Sequence, residues 1–267
     1  MAGETRAVFL KQSGESLMQG NGGGNWTKLG AASVVANIAE VYKSRNELKL
    51  EGLTIVPGAG NVGRGNALKE VGVSKYHDSI GRLGTIQNAL VLTELLKAAG
   101  VPVALFNAHG QGFFDVNIKP PAYNRDLVKE AHDAQQVVVV GGGTGKNGVT
   151  TDDAVVFYAR DYQEVYEGEI MILKSTTTVD GVYASDPAES EQEPPRFKRI
   201  SATEMLKDYD NFDVVDKGSL EQLAESGMTM HVFQESKHKL DDVLRHETNG
   251  ASIGTLIMGE TCEPLLY

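Results

Sequence analysis

The sequence predicts an α/β fold, a three-layer αβα sandwich with a mainly parallel central sheet. Short apolar runs at residues 7–10, 53–56 and 137–140 each end in a glycine cluster, which is typical of buried strands that lead into turns. Segments with helical spacing of apolar residues lie between these runs. Because strands and helices alternate, we expect helices on both faces of the sheet and ligands at the carboxyl ends of the strands.

The individual elements follow from the same patterns. Apolar residues recur at helical intervals over residues 28–45 and 85–99, which predicts two amphipathic helices. A third helix is expected to begin at Thr150, Thr151 and Asp152, whose side chains can cap a helix N-terminus. The remaining pattern predicts strands at 169–174, 229–233 and 252–258, helices near 202–207, 219–226 and 237–246, and a long surface loop at 185–196.

Length, composition and charge indicate an ordinary globular protein. The chain has 267 residues, of which 41% are hydrophobic and 23% charged. The formal net charge of −11 makes binding to nucleic acid or to an anionic membrane unexpected. Because Cys262 is the single cysteine, an intrachain disulfide is excluded. We find neither an export segment nor an apolar run of membrane length, so a cytoplasmic location is expected.

The glycine cluster after the second strand has two interpretations. Residues 58–63 match G-x-G-x-x-G, and Asp78 follows at about the distance of a ribose-binding acid, as in dinucleotide-binding folds. The same residues also suit a phosphate-binding loop. The motif follows the second strand rather than the first, and Arg64 comes directly after it, which favours phosphate recognition.

A second glycine-rich segment follows the third apolar run. Residues 141–146 resemble a Walker-type loop, but the spacing is one residue short and Asn147 replaces the required hydroxyl residue. Backbone N–H groups of the glycines and the hydroxyls of Thr144, Thr150 and Thr151 still predict an anion site near a helix N-terminus. With Lys11 and the turn that follows it, the three loops predict a site for two phosphate-bearing groups, as phosphoryl transfer requires.

These segments resemble the ordered motifs of bacterial-type uridylate kinases of the amino acid kinase superfamily, over most of the chain. The resemblance implies an amino acid kinase-like fold in a single domain, 1–267, with an acceptor-binding lobe at about 1–165 and an ATP-binding lobe at about 166–267. It also implies transfer of the γ-phosphoryl group of Mg-ATP to UMP in pyrimidine biosynthesis, by a homohexamer. The matching segments are 10–17 (K-L-S-G-E-x-L), 58–65 (G-G-G-N-x-x-R-G), 78–90 (D-H-M-G-M-L-A-T-x-x-N-x-L), 143–152 (G-T-G-N-P-F-F-T-T-D), 179–187 (V-D-G-V-Y-x-x-D-P) and 215–216 (M-D).

Carried over residue by residue, the resemblance implies three sets of site residues. Magnesium is expected to arrive bound to ATP, and no protein residue is expected to ligate a metal. The implied catalytic residues are Lys11, Arg64, Asp152 and Lys174. The implied ATP-binding residues are Lys11, Ser13, Gly14, Gly60, Arg64, Thr177, Tyr183 and Asp186. The implied UMP-binding residues are Ala59, Asp78, Thr144, Gly145, Thr150 and Thr151.

The sequence departs from the family motifs in places that bear on function. Ala59 replaces a glycine, and its methyl group is expected to crowd the phosphate. Residues 146–149, Lys-Asn-Gly-Val, replace N-P-F-F, and Thr178 stands where a second lysine is expected, so that Lys146 or Lys174 is expected to supply the charge. Residues 21–28 and Thr93 fall where regulation by GTP is usually placed, so regulation is not assumed. Two alternatives stay open: another small phosphate or carboxylate acceptor, and a nucleotide-binding protein without catalysis.

Overall fold

The computed structural model describes residues 5–18, 25–63, 70, 72–108, 120–188, 190, 192–212, 214–246 and 253–267. Its strands are β1 (Arg6–Gln12), β2 (Leu50–Pro57), β3 (Val103–Asn107), β4 (Val137–Gly141), β5 (Glu169–Thr176), β6 (Phe197–Ser201), β7 (Met230–Gln234), β8 (Thr255–Met258) and β9 (Leu265–Leu266). Its α-helices are α1 (Lys28–Ser44), α2 (His77–Ala98), α3 (Arg125–Asp133), α4 (Thr151–Gln163), α5 (Ala202–Lys207), α6 (Lys217–Ser226) and α7 (Leu240–His246). Short 3-10 helices span Glu15–Met18 and Tyr209–Asn211.

The described strands form one nine-stranded sheet in the order β3-β4-β2-β1-β5-β7-β8-β6-β9. The first six strands in this order, from β3 to β7, run parallel to one another, and β6 is parallel to β8. The pairs β7–β8 and β6–β9 are antiparallel. The prediction of a mainly parallel sheet is therefore confirmed, although the region around β8 departs from a regular alternation of parallel strands and helices.

Helices cover both faces of the sheet, which confirms the predicted three-layer αβα sandwich. Alternate residues of β1 face opposite layers: Ala7 and Phe9 point to one, and Val8 and Leu10 to the other. The first layer contains the apolar sides of α3, α4, α5 and α6, and the second contains those of α1, α2 and α7. Burial of each large apolar side chain contributes about 1.5–3 kcal/mol to folding.

Several predicted boundaries need correction. Helix α2 begins at His77, eight residues before the predicted start at Thr85. Its first turns face a cavity and lack apolar periodicity, so the sequence pattern did not indicate them. Four elements were not predicted: β3, α3, β6 and β9, the last of which makes the predicted terminal strand the penultimate one. Strand β6 carries exposed Lys198 and Arg199, so its composition does not resemble that of a buried strand. The predicted strand residue 252 lies outside the described residues.

A buried histidine links α3 to the sheet and to α4. His132 is 3% exposed, and its ring nitrogens lie 2.9 Å from the Tyr162 hydroxyl and 3.1 Å from Thr54 Oγ1. Burial lowers the pKa of His132 to about 4, although the nearby carboxylate of Asp133 opposes this shift. The imidazole is therefore neutral in the folded protein at neutral pH.

This histidine is expected to make the fold less stable in acid. Below about pH 6.5 the unfolded chain binds a proton at His132 that the folded chain accepts only near pH 4, so stability falls across that window. We expect His132→Gln to be less stable than the parent at pH 7.5, and that deficit to shrink by roughly 2–3 kcal/mol at pH 4.5. Urea unfolding at both pH values measures the change, and an equal deficit at both would contradict the prediction.

Candidate active site

The main cavity lies at the carboxyl ends of the central strands. In the sheet β1 lies between β2 and β5, so the order in which the chain adds strands changes direction at β1. A crevice forms where the strand order reverses in this way, and ligands of open α/β sheets bind there. The cavity has a volume of about 980 Å³ and is lined by the loops that follow β1, β2, β4 and β5.

Most of the residues that the sequence implicated lie around this cavity. Thr144 and Gly145 are in the loop after β4, where their neighbours Gly143 and Lys146 line the cavity. Arg64 lies outside the described residues. The implicated residues that line the cavity are Lys11, Ser13, Gly14, Ala59, Gly60, Asp78, Thr150, Thr151, Asp152, Lys174, Thr177, Tyr183 and Asp186.

Two lysines and a buried aspartate meet at the centre of the cavity. Lys11 Nζ lies 3.6 Å from Asp152 Oδ1, and Lys174 Nζ is in direct contact with Asp152 Oδ2. The side chains of Lys11, Lys174 and Asp152 are 17%, 9% and 4% exposed, so Lys11 is the most accessible of the three. Lys11 is the penultimate residue of β1 and pairs with Lys174 on the adjacent strand β5, so the cluster depends on the pairing of these strands.

The charges in this cluster determine the protonation of Asp152. Burial alone would raise the pKa of its carboxyl group, but Lys174, Lys11 and the backbone N–H of Asp216 outweigh burial and lower the pKa to about 2. Burial lowers the pKa of Lys174, and Asp152 opposes that shift. Asp152 is therefore an anion at neutral pH, and its two oxygens contact and orient both lysines.

The loops after β1 and β2 are packed against each other through their backbones. A Cβ atom on Gly14 would lie 2.5 Å from Gly58 O and 2.8 Å from Gly60 N, so only glycine fits there. Ser13 N donates to Ser175 Oγ at 2.9 Å, and Asn88 Nδ2 donates to Gly58 O at 2.6 Å. These bonds hold both loops at the rim of the cavity.

The methyl group of Ala59 packs against α2. A Cβ atom added to Gly84 would lie 2.8 Å from Ala59 Cβ, so the two positions share space for a single methyl group. In the family motifs quoted above, the loop position is glycine and the helix position is alanine, which is the reverse arrangement. The methyl group that Ala59 adds therefore occupies space that Gly84 leaves free on α2.

The loop after β4 leads into the N-terminus of α4. Gly142, Gly143, Gly145 and Gly148 have φ values of 88°, 58°, 76° and 70°, a backbone region that other residues rarely adopt. Thr150 caps α4 in a capping box with Asp153, as the sequence predicted for this helix start. The first-turn N–H groups and the positive end of the helix dipole are thereby directed towards the cavity, which suits an anion.

The loop after β5 lines the opposite end of the cavity. Thr177 Oγ1 donates to Glu15 Oε2 at 2.8 Å, and Tyr183 OH donates to Glu193 Oε1 at 3.0 Å. Asp186 Oδ1 accepts from Ala188 N at 2.8 Å. Strand order separates this loop from those after β2 and β4, because β1 lies between β2 and β5. The cavity therefore has two ends, with Lys11 and Lys174 at its middle.

A buried carboxylate, to which the sequence motifs assigned no role, anchors the loop after β5. Asp180 accepts hydrogen bonds from Arg196, from His238 Nε2 at 2.9 Å and from Gln234 N at 3.1 Å. The following residue, Gly181, has φ of 113° and leaves no room for a Cβ beside Thr255 Oγ1. The signal available in the sequence was the Asp-Gly pair, whose distant partners only the fold reveals.

Further cavity residues received no role from the sequence. Glu15, Arg82 and Asp216 lie within the quoted motif segments but carry charges that the motifs left unassigned. Burial and the charge of Asp152 raise the pKa of Asp216. Trp26, in the part of residues 21–28 that is described, donates to Asn88 Oδ1 at 2.8 Å; residues 21–24 lie outside the described residues.

The described residues hold neither a protein cage for a metal ion nor a helix that could span a membrane. Over the described residues, no group of three or more His, Cys, Asp or Glu side chains is arranged to hold a metal ion. Asp152, the most buried acid of the cavity, is engaged by two lysines, so these residues suit a metal that arrives with a phosphate ligand. No helix within the described ranges combines the length and apolarity needed to cross a bilayer.

Fixed cations and exposed backbone N–H groups around one two-ended cavity define the class of site that enzymes use for phosphoryl transfer. The chain belongs to the amino acid kinase family, whose model, described as "Amino acid kinase family", matches residues 6–234. This match confirms the predicted superfamily.

Individual relatives extend the match over most of the chain. A uridylate kinase of Rickettsia prowazekii (strain Madrid E) is 32% identical over 234 residues, which cover 87% of this chain and 88% of the relative. The crystal structure of UMP kinase from Bacillus anthracis superimposes with a TM-score of 0.80 and 25% identity, covering 99% of both chains. UMP kinase from Ureaplasma parvum gives a TM-score of 0.78 at 25% identity, covering 97% of this chain and all (100%) of the other. The resemblance to uridylate kinases is therefore confirmed.

Proposed function

We propose that this protein transfers the γ-phosphoryl group of ATP to UMP and releases ADP and UDP. The main observation in support is the cluster of Lys11, Asp152 and Lys174 between the two ends of one cavity. The chain also matches uridylate kinases over most of its length. One end suits a nucleotide donor and the other an acceptor phosphate. The alternative of a protein without catalysis is disfavoured because both lysines are held at the centre.

The proposed reaction needs positioning rather than covalent chemistry by the protein. An oxygen of the UMP phosphate forms a bond to the γ-phosphorus of ATP, while the bond from that phosphorus to the bridging oxygen breaks and leaves ADP. Lys11 would neutralise charge on the transferring group, and Asp152 would keep Lys11 and Lys174 in place. When bound with ATP, Mg²⁺ would offset further phosphate charge.

The binding roles follow the two ends of the cavity. Lys11, Lys174 and Asp152, with Arg64, form the proposed catalytic set. Donor binding is assigned to Ser13, Gly14, Gly60, Thr177, Tyr183 and Asp186, and acceptor binding to Ala59, Asp78, Thr144, Gly145, Thr150 and Thr151. Lys174 is the proposed replacement for the family lysine that is absent at Thr178, because it reaches Asp152 while Lys146 lies over the Phe157 ring, 6.0 Å from its centroid.

We also propose a domain organisation, a cellular location, an oligomeric state and a metal for this reaction. The resemblance supports a single catalytic domain with an acceptor-binding lobe at about residues 1–165 and an ATP-binding lobe at about 166–267. It further supports a cytoplasmic homohexamer that acts in pyrimidine nucleotide biosynthesis. The engagement of Asp152 by two lysines supports magnesium supplied as Mg-ATP.

An assay of ADP release with Mg-ATP and a panel of acceptors tests this function. We expect strong preference for UMP over CMP, dUMP, AMP, GMP and small phosphates or carboxylates. Lys11→Met is expected to lower kcat about a hundredfold because a fixed charge at the transferring group is lost. The matched control is Lys198→Met, since Lys198 is exposed on β6 and lies outside the cavity.

Each other outcome contradicts a defined part of the proposal. Preference for a different acceptor would keep phosphoryl transfer but overturn UMP as the substrate. Binding of ATP without turnover on any acceptor would overturn catalysis and favour a nucleotide-binding protein. Full activity of Lys11→Met would overturn the central role of the lysine cluster.

A further inference from the structure

One face of α2 is bonded along the glycine-rich loop at residues 142–148. Asp78, Arg82 and Thr85 are spaced i, i+4 and i+7, so they lie on the same side of the helix. Each bonds to a different point of the loop, and the points are three residues apart in reverse order. The bonds join Asp78 Oδ2 to Gly148 N at 2.9 Å, Arg82 Nη1 to Gly145 O at 2.7 Å, and Thr85 Oγ1 to Gly142 N at 2.9 Å.

The loop needs such support because of its glycine content. Four of its residues adopt left-handed φ values, which glycine reaches easily but also leaves easily. A loop of this kind loses conformational entropy when it binds a ligand, unless contacts in the free protein already hold it. The three bonds from α2, together with the bond from Tyr158 OH to Gly143 O, provide those contacts.

Arg82 is the distinctive member of this face. In the family motif D-H-M-G-M-L-A-T its position is methionine, which cannot donate to a carbonyl group, whereas Asp78 and Thr85 match the motif. Its guanidinium donates to Gly145 O and, through Nη2, to Ser79 Oγ at 3.1 Å. The side chain also lines the cavity. The planar guanidinium group has several N–H donors at fixed angles, so it can make both bonds at the same time. A lysine ammonium group does not reproduce that geometry.

We propose that Arg82 is a positioning residue that fixes the loop at 142–148 in the conformation that binds the acceptor phosphate. The proposal rests on the proposed function for the identity of the acceptor, but its structural part does not. Because Gly145 is at the middle of the loop, the Arg82 bond restrains the segment between the two outer bonds. We expect the effect to be specific to the acceptor end, because the described hydrogen bonds of Arg82 join it to Gly145 and Ser79.

Hydrogen exchange of the free protein tests the structural part without any substrate. We expect Arg82→Met to speed amide exchange in residues 142–148 about fivefold or more, with other segments unchanged, and Arg82→Lys to give a smaller increase. Arg160→Met is the matched control, because Arg160 pairs with Glu225 on an exposed surface. Unchanged exchange in residues 142–148 of Arg82→Met would overturn the proposal.

Steady-state kinetics and direct binding test the link to the acceptor. We expect Arg82→Met to raise KM and Kd for UMP about tenfold, with KM for ATP and the melting temperature nearly unchanged. Equal losses for UMP and ATP, or a large drop in melting temperature, would indicate a merely structural role and overturn the proposal. If the parent protein neither binds nor phosphorylates UMP, the proposed function fails, and the exchange experiment still decides the role of Arg82.

Discussion

Asp152→Asn is expected to destabilise the fold by about 3–5 kcal/mol at pH 7, although asparagine has nearly the same shape as aspartate. The substitution removes the carboxylate that contacts Lys174, whose side chain is 9% exposed, and leaves this buried ammonium group with only the weaker charge interaction of Asp216. Lys174 then has to lose its proton or draw water into the core. For a chain of this size the loss corresponds to a melting temperature lower by about 10 °C, measurable by calorimetry or urea unfolding.

A double-mutant cycle separates this effect from loss of shape. Lys174→Met in the Asp152→Asn background removes both charges, so we expect the double variant to lose less stability than the two single losses added together. Asp133→Asn is the matched control, because Asp133 is exposed and its pair with Lys129 contributes little. A loss below about 1 kcal/mol in Asp152→Asn would show that the cluster does not depend on the carboxylate.

The sequence predicted those parts of the site that local patterns encode. Strand ends followed by glycines locate the loops, and the residues that can cap a helix locate the start of α4 at Thr151. Lys11 could be placed at the site because it lies near the end of β1, two residues before the turn that starts at Ser13. In a parallel sheet all such strand ends meet at one edge, so local signals are enough to predict a shared cavity.

Contacts between distant segments could not be predicted in the same way. Lys174 and Asp152 are 22 residues apart, and their pairing depends on β1, β5 and α4 packing together. Ala59 carries a methyl group at the point where Gly84 lacks one, and neither segment alone shows that the two positions are in contact. From the sequence, Ala59 was therefore expected to crowd the phosphate. The first turns of α2 face the cavity, and without an apolar stripe they gave no helical signal.

Gly14→Ala is expected to lower kcat/KM by about a hundredfold or more and to reduce stability. The added methyl group would meet Gly58 O at 2.5 Å, and Asn61 Oδ1 and Gly60 N at 2.8 Å each. Two of these contacts are backbone atoms, which cannot rotate away, so the loops after β1 and β2 must separate. A displacement of about 1 Å at a reacting centre is enough for a hundredfold loss of rate. Kinetics with ATP and UMP, together with urea unfolding, measure both effects.

Gly63→Ala gives the comparison that makes this result interpretable. Gly63 lines the same cavity, but an added Cβ would have no neighbour within 4 Å among the described residues, and its φ is not in the left-handed region. We therefore expect Gly63→Ala to keep kcat/KM within about twofold of the parent. If both variants lost activity equally, backbone freedom of glycine rather than loop contact would be the cause. If Gly14→Ala stayed active, the close packing of the two loops would not be required for phosphoryl transfer.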